Sequence, residues 1–181
     1  MKKPALAAAA ALLFLQAGHP AAADPELKLP SFSNLRSKAV EHTDITIDGF
    51  LLRIARHFAA KQAQDDPEAA AAADLLKSIK SVTVRSFEFA DDNVYSRDDI
   101  ESVRRQLTGP GWSAVVSQHK REPVEDVDVY INTDGEKIMG IAVVAAEPRE
   151  FTIVNVVGNI DVDKLTMLEG QLGLPKLGMN D

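Results

Sequence analysis

The chain has 181 residues, with 20 Lys and Arg against 27 Asp and Glu, a net charge of −7 and no cysteine. A chain of this sign repels phosphate backbones, which argues against nucleic acid as a partner. Without cysteine there are no disulfides and no thiolate ligands, so a hydrophobic core must carry the fold.

The first residues read as a signal for export. Met1-Lys2-Lys3 is a short positive start, residues 5–15 are an uninterrupted apolar run, and Ala21-Ala22-Ala23 supplies a small-residue cleavage pattern. The run is too short for a stable membrane anchor, and no cysteine follows it to take a lipid. Residues 1–23 are therefore expected to be removed, leaving a soluble periplasmic or secreted protein that starts at Asp24. Loss of Lys2 and Lys3 leaves 18 basic against 27 acidic residues, a net charge of −9. Residues 24–172 suffice for one domain, and residues 173–181 are expected to form a loose tail.

After a polar lead-in over residues 24–30, Ser31 is placed to cap a short helix carrying Phe32, Leu35 and Ala39. Thr43, Ile45 and Ile47 alternate with polar residues, as in a half-buried strand. Asp48 then caps a helix whose Phe50, Leu51, Ile54, Ala55 and Phe58 recur at helical spacing, an apolar stripe expected to pack inward. Asp66-Pro67 starts a second, alanine-rich helix with Leu75 and Leu76 as its contacts. Val82 and Val84 followed by Phe87 and Phe89 read as a strand with a phase slip near Arg85-Ser86, which predicts a bulge there. Ser96 with Asp99 resembles a capping box opening a helix lined by Ile100, Val103 and Leu107. Gly109-Pro110-Gly111 ends it, and residues 112–116 are a third strand, with Trp112 as a core anchor.

The most chemical-looking stretch is residues 126–137, DVDVYINTDGEK. Its N-x-D-G resembles the middle of a calcium loop, but in that register position one is Tyr130 and position twelve is Ile141, neither of which meets the ligand requirement. Val127, Val129 and Ile131 alternate before Asp134-Gly135, and a second apolar run follows, so the stretch is read as a β-hairpin. Pro148-Arg149 makes the next turn into residues 151–157. Asp161 caps an expected last helix with Val162, Leu165, Leu168 and Leu172.

Catalytic, cofactor and metal motifs are not visible. Asp98 and Asp99 suit the first turn of a helix, where negative charge complements the dipole. His42, His57 and His119 show no ligand spacing, the serines lack a G-x-S-x-G elbow, and Gly109 and Gly111 lack a dinucleotide loop's third glycine. No catalytic, cofactor or metal residue is assigned.

Several segments together resemble a known family. They are Leu35-x-x-Lys38-Ala39, Gly111-Trp112-x-x-Val115-Val116, Val129-Tyr130 and Gly135-Glu136-Lys137-Ile138-x-Gly140. To these add Glu147-Pro148-Arg149-Glu150-Phe151-Thr152 and Val156-x-Gly158-x-Ile160-Asp161. The pattern is similar to the exported bacterial family catalogued as domain of unknown function 4252, over about residues 31–172. The resemblance implies a fold and an export signal, and brings no catalytic residue with it.

The expected fold class is α+β, a mostly antiparallel sheet of about six strands with amphipathic helices packed on it. Pairing across Asp134-Gly135 places Tyr130 opposite Met139 and puts Tyr130, Met139 and Ile141 on one face, the candidate partner or dimer surface. The expected function is non-enzymatic binding of a protein or small apolar ligand, a second copy in a homodimer being one such partner. The alternative is a hydrolase with a dispersed Asp/Glu/His site. It requires His42, His57 or His119 within hydrogen-bond reach of a carboxylate in a pocket.

Overall fold

The structure, a computed structural model, describes residues 24–63, 67–121 and 124–161. The expected signal, the helix beyond Asp161 and the tail lie outside the described residues. In chain order the elements are α1 (Ser33–Lys38), β1 (Glu41–Asp48), α2 (Gly49–Gln62), α3 (Pro67–Ser78) and β2 (Ile79–Glu88). Then come α4 (Arg97–Arg104) with a 3-10 turn (Arg105–Thr108), β3 (Trp112–Arg121), β4 (Val124–Asp134), β5 (Lys137–Glu147) and β6 (Glu150–Ile160). These six strands form one antiparallel sheet in the order β1-β2-β6-β5-β4-β3, so the class is α+β.

Strand parity explains why this sheet is apolar on both faces. In β2, Phe87 points to one face, opposite Phe151, while Val82 and Val84 point to the other, opposite Val156 and Val154. The change from valines to phenylalanines that looks like a slip at Arg85-Ser86 is therefore a change of face with no bulge there. The strand's one irregularity lies between Ile79 and Ser81.

On the first face, Phe87, Phe151, Ile153, Ala142 and Val144 are buried under Leu35 of α1 and Ile100, Val103 and Leu107 of the α4 segment. Trp112 is buried in the same cluster, as expected of a core anchor. The lead-in is part of it too: Leu27 is buried, its N–H donates to Asn155 Oδ1 at 3.0 Å, and Asn155 Nδ2 donates to the Pro25 carbonyl at 3.1 Å. Gly140 permits this crossing, because a Cβ there would stand 2.7 Å from that of Pro25.

On the second face, Leu52 of α2, Leu75 of α3, Ile79 and Ile160 make a smaller cluster against Ile47, Val82, Ile141 and Val156. Pro67 occupies the first position of α3, where its missing N–H costs no hydrogen bond. The expected stripe of α2 does not supply this contact. Leu52 is the residue that α2 buries, and Phe50, Leu51, Ile54 and Phe58 all face outward. Ala59 and Leu52 lie about two turns apart on the inward side, and small alanines let α2 and α3 approach closely.

The hairpin is present, one residue later than read. Asp134 pairs with Lys137, so the connection is Gly135-Glu136, and Gly135 alone takes positive φ, at 60°, as the first central residue of a type II′ turn does. A bulge between Asn132 and Thr133 then shifts the pairing, setting Asn132 opposite Gly140 and Tyr130 opposite Ala142. One residue of slip reverses the face of every side chain that follows. Val127, Val129 and Ile131 consequently share the second face with Ile141, Val143 and Val154, while Tyr130 joins the first.

Candidate functional site

The partner surface expected from the sequence is not assembled. Tyr130 packs against the first-face core, Ile141 packs beneath α2 and α3 on the opposite face, and Met139 is half-buried beside the bulge. The physical reason is the Asn132/Thr133 bulge, which no turn-based register anticipates.

A polar cleft forms elsewhere, between the start of α4 and the far end of the β3–β4 hairpin. It encloses about 620 Å3, lined by Tyr95, Arg97, Glu101, Arg104, His119 and Asp126 among others. Helix α4 is held there by the capping box. Ser96 Oγ accepts from the Asp99 N–H at 3.2 Å and the Asp99 carboxylate accepts from the Ser96 N–H at 2.8 Å. One turn on, Glu101 and Arg104 stand on one side of the helix at i, i+3, 3.5 Å apart. Asp126 and Asp128 alternate along β4 and so face the same way. The register places His119 directly across from Asp126.

Charge organises the cleft. Asp128 is 1% exposed and takes a hydrogen bond from Arg104 Nη2, which also stands 3.7 Å from Asp126. Burial acts to lower the Arg104 pKa, but the charge and hydrogen bond of Asp128 and the charge of Asp126 outweigh it, and the net shift is upward. His119 Nδ1 lies 3.1 Å from Asp126 Oδ1 and its Nε2 3.4 Å from Asp128 Oδ1. At the cleft wall Tyr95 stacks on Phe151 and donates its hydroxyl to the Glu147 carbonyl. Burial and then the charges of Asp126 and Glu147 push the Tyr95 pKa up to about 12. Tyr130 is raised as well, first by burial and then by Asp128.

This arrangement meets the geometric requirement set for the enzyme reading, since His119 lies 3.1 Å from Asp126 and both line the cleft, but catalysis asks for more. A general-base histidine needs one nitrogen on an orienting carboxylate and the other free for the proton it abstracts. Here both nitrogens face carboxylates. The cleft's hydroxyls are also committed: Ser96 to the cap and Tyr95 to a main-chain carbonyl. Among the described residues, no group of three or more His, Cys, Asp or Glu is placed to hold a metal ion. His42 and His57 are exposed and remote from the cleft lining.

His119 carries no signal by spacing alone. The informative pattern is the alternation of Asp126 and Asp128 on one strand, combined with a third strand running on to Arg121 rather than stopping at Val116. Antiparallel pairing of β3 with β4 brings His119 across from the pair.

A six-stranded antiparallel sheet, helices on both its faces and a capped α4 above the acidic end of a hairpin define this class of small α+β domain. Residues 37–168 match the family described as a domain of unknown function (DUF4252), and the chain belongs to it. No curated protein and no solved structure matches the chain.

Proposed function

We propose that this chain is an exported protein of the cell envelope, periplasmic or released, that works by binding a protein or small apolar ligand rather than by catalysis. The observation that carries this reading is His119, whose two ring nitrogens are both directed at carboxylates, so that neither is left free to take a proton from a substrate. A binding role is supported by an apolar row on the second face of the sheet. Ile45, Val84, Val154, Val143, Val129 and Val116 align across all six strands, and none joins the cluster beneath α2 and α3. Export is supported by the charge and apolar pattern of residues 1–23.

The test combines two measurements on purified protein. Ester, phosphate-ester and peptide substrates should be turned over no faster by the wild type than by His119→Ala, while a pull-down from envelope extract should retain a specific partner. Hydrolysis that His119→Ala abolishes would reject the binding-only reading. It would favour the second one, a hydrolase built on the His119, Asp126 and Asp128 cluster, whose meeting across the hairpin is its motivating observation. N-terminal sequencing of exported material checks the expected cleavage before Asp24. An intact Met1 on membrane-bound protein would refute it.

A further inference from the structure

Helix α2 carries two apolar sides where a covering helix needs one. The inward side is spent on Leu52, which packs with Leu75, Ile79 and Ile160. The outward side presents Phe50 at 64%, Leu51 at 51%, Ile54 at 38% and Phe58 at 60% exposure. These four recur at i, i+1, i+4 and i+8, so they form one stripe about two turns long. Exposing two phenylalanines and two aliphatic residues together is costly in water and is characteristic of a surface that meets something else.

Charge indicates what it meets. In a chain of net charge −7, α2 has Arg53, Arg56 and Lys61 and no acidic residue. Arg56 turns inward, donating to the carbonyls of Leu76 and Ile79 at 2.9 and 2.6 Å. Arg53 lies beside the stripe and Lys61 at its C-terminal end, and the Arg53 guanidinium lies 5.6 Å from the centre of the Phe50 ring. The acids are at the other end of the sheet. Glu88 pairs with both Glu41 and Glu150, and Glu150 with Glu147, at the strand ends farthest from the Asp48–Gly49 junction where α2 begins. The molecule thus carries an apolar helix with cations and no acid at one end, and a cluster of glutamates at the other. A second copy meeting α2 about a two-fold axis would cover the apolar stripe but bring no acidic residue from its own α2 to the cations. An extended, negatively charged surface over an apolar layer satisfies both features and repels the glutamate cluster, fixing orientation.

We propose that α2 is an interfacial docking helix that places this protein on an anionic lipid surface, with Phe50, Leu51, Ile54 and Phe58 in the acyl boundary and Arg53 and Lys61 at the headgroups. The contact is peripheral and reversible. Among the described residues no helix is long and apolar enough to cross a membrane. The proposal holds whether or not the cleft is catalytic.

The test is cosedimentation of the chain from Asp24 to Asp181 with vesicles of phosphatidylcholine alone or with phosphatidylglycerol added. Residues 1–23 are omitted because their apolar run would itself enter lipid, and the described core closes without them. Binding is expected to phosphatidylglycerol vesicles only, weakening as salt rises. It should fall about tenfold or more in Phe50→Ser/Phe58→Ser and in Arg53→Glu/Lys61→Glu, as expected when burial and headgroup attraction are removed in turn. Phe58→Trp provides a readout that removes no apolar surface: its emission should shift blue on those vesicles, against the buried Trp112 as constant background. Equal binding to neutral vesicles, no binding at all, or unchanged emission from the Phe58→Trp variant would overturn the proposal. So would unbound vesicles combined with loss of a dimer in the serine variant, which would make the stripe an interface between copies. An acidic protein groove as the true partner would likewise leave the vesicles unbound.

Discussion

Single buried polar groups in this domain differ in how well they are satisfied, and the differences set their mutational consequences. Asn132 is fully buried, yet neither its amide nitrogen nor its oxygen has a hydrogen-bond partner. Such a group bears a desolvation penalty with no return, so Asn132→Leu, close in shape and apolar, should raise stability by about 1–2 kcal/mol. Urea denaturation measures this; a loss instead would mean that Asn132 is hydrogen-bonded in solution. Asp128 is the opposite case. It is equally buried but paired with Arg104, and Arg104→Met would strand its charge, at a cost of about 3 kcal/mol. Tyr95 makes a pH prediction. Its hydroxyl titrates near 10 when unfolded and at about 12 when folded, so the unfolded chain loses the proton first. Its contribution is therefore complete below pH 10 and is lost as pH rises from about 10 to 12. Thermal melts across that range should fall more steeply for the wild type than for Tyr95→Phe.

At the scale of elements, the capping box offers a direct check. Ser96→Ala removes the side-chain acceptor for the Asp99 N–H and should cost about 1 kcal/mol, read from the urea midpoint. Because α4 also carries Arg104 into the cleft, the same change should loosen the Arg104–Asp128 pair. This element was legible but for its last turn, which tightens to a 3-10 turn over Arg105–Thr108: the cap, the lining residues and the Gly-Pro-Gly stop are all local signals. The hairpin was legible as a hairpin but not in register, since the bulge at Asn132/Thr133 depends on how β5 meets its neighbours. From that one residue followed the mistaken grouping of Tyr130, Met139 and Ile141. Helix α2 failed for another reason. Periodicity finds an apolar stripe but cannot say whether it faces the core, and here the single Leu52 and small alanines do the covering. The His119 cluster was hidden because its members become neighbours only through β3–β4 pairing.

For the molecule as a whole, the sheet order joins distant segments, and the lead-in over residues 25–29 acts as a strap across the first face. Leu27 fills the core beside Phe32 and Leu35, Asn155 grips it from β6, and Gln106 exchanges hydrogen bonds with Lys28, accepting from its N–H at 2.9 Å and donating to its carbonyl at 3.2 Å. The strap thus links β6, near the middle of the sheet, to the 3-10 turn after α4. No helix or strand pattern in the sequence marks residues 25–29 as structural, because an irregular segment announces itself only through its partners. Its energetic share is estimable. Burying one leucine contributes about 2 kcal/mol and each of the four hydrogen bonds to Asn155 and Gln106 about 1 kcal/mol, a gain that ordering the strap offsets in large part. Deleting residues 24–30 should lower the unfolding free energy, because it leaves buried Asn155 without two of its partners and exposes Phe32, whose ring sits 5.6 Å from that of Phe87 and 5.9 Å from that of Phe151. Asn155→Ala should reproduce about half of that loss, since it releases the strap while leaving Leu27 in the chain. Urea titrations of the two variants decide the matter. If the deletion is silent, the strap does not stabilise the fold; if Asn155→Ala costs as much as the deletion, the anchor rather than the buried leucine carries the energy.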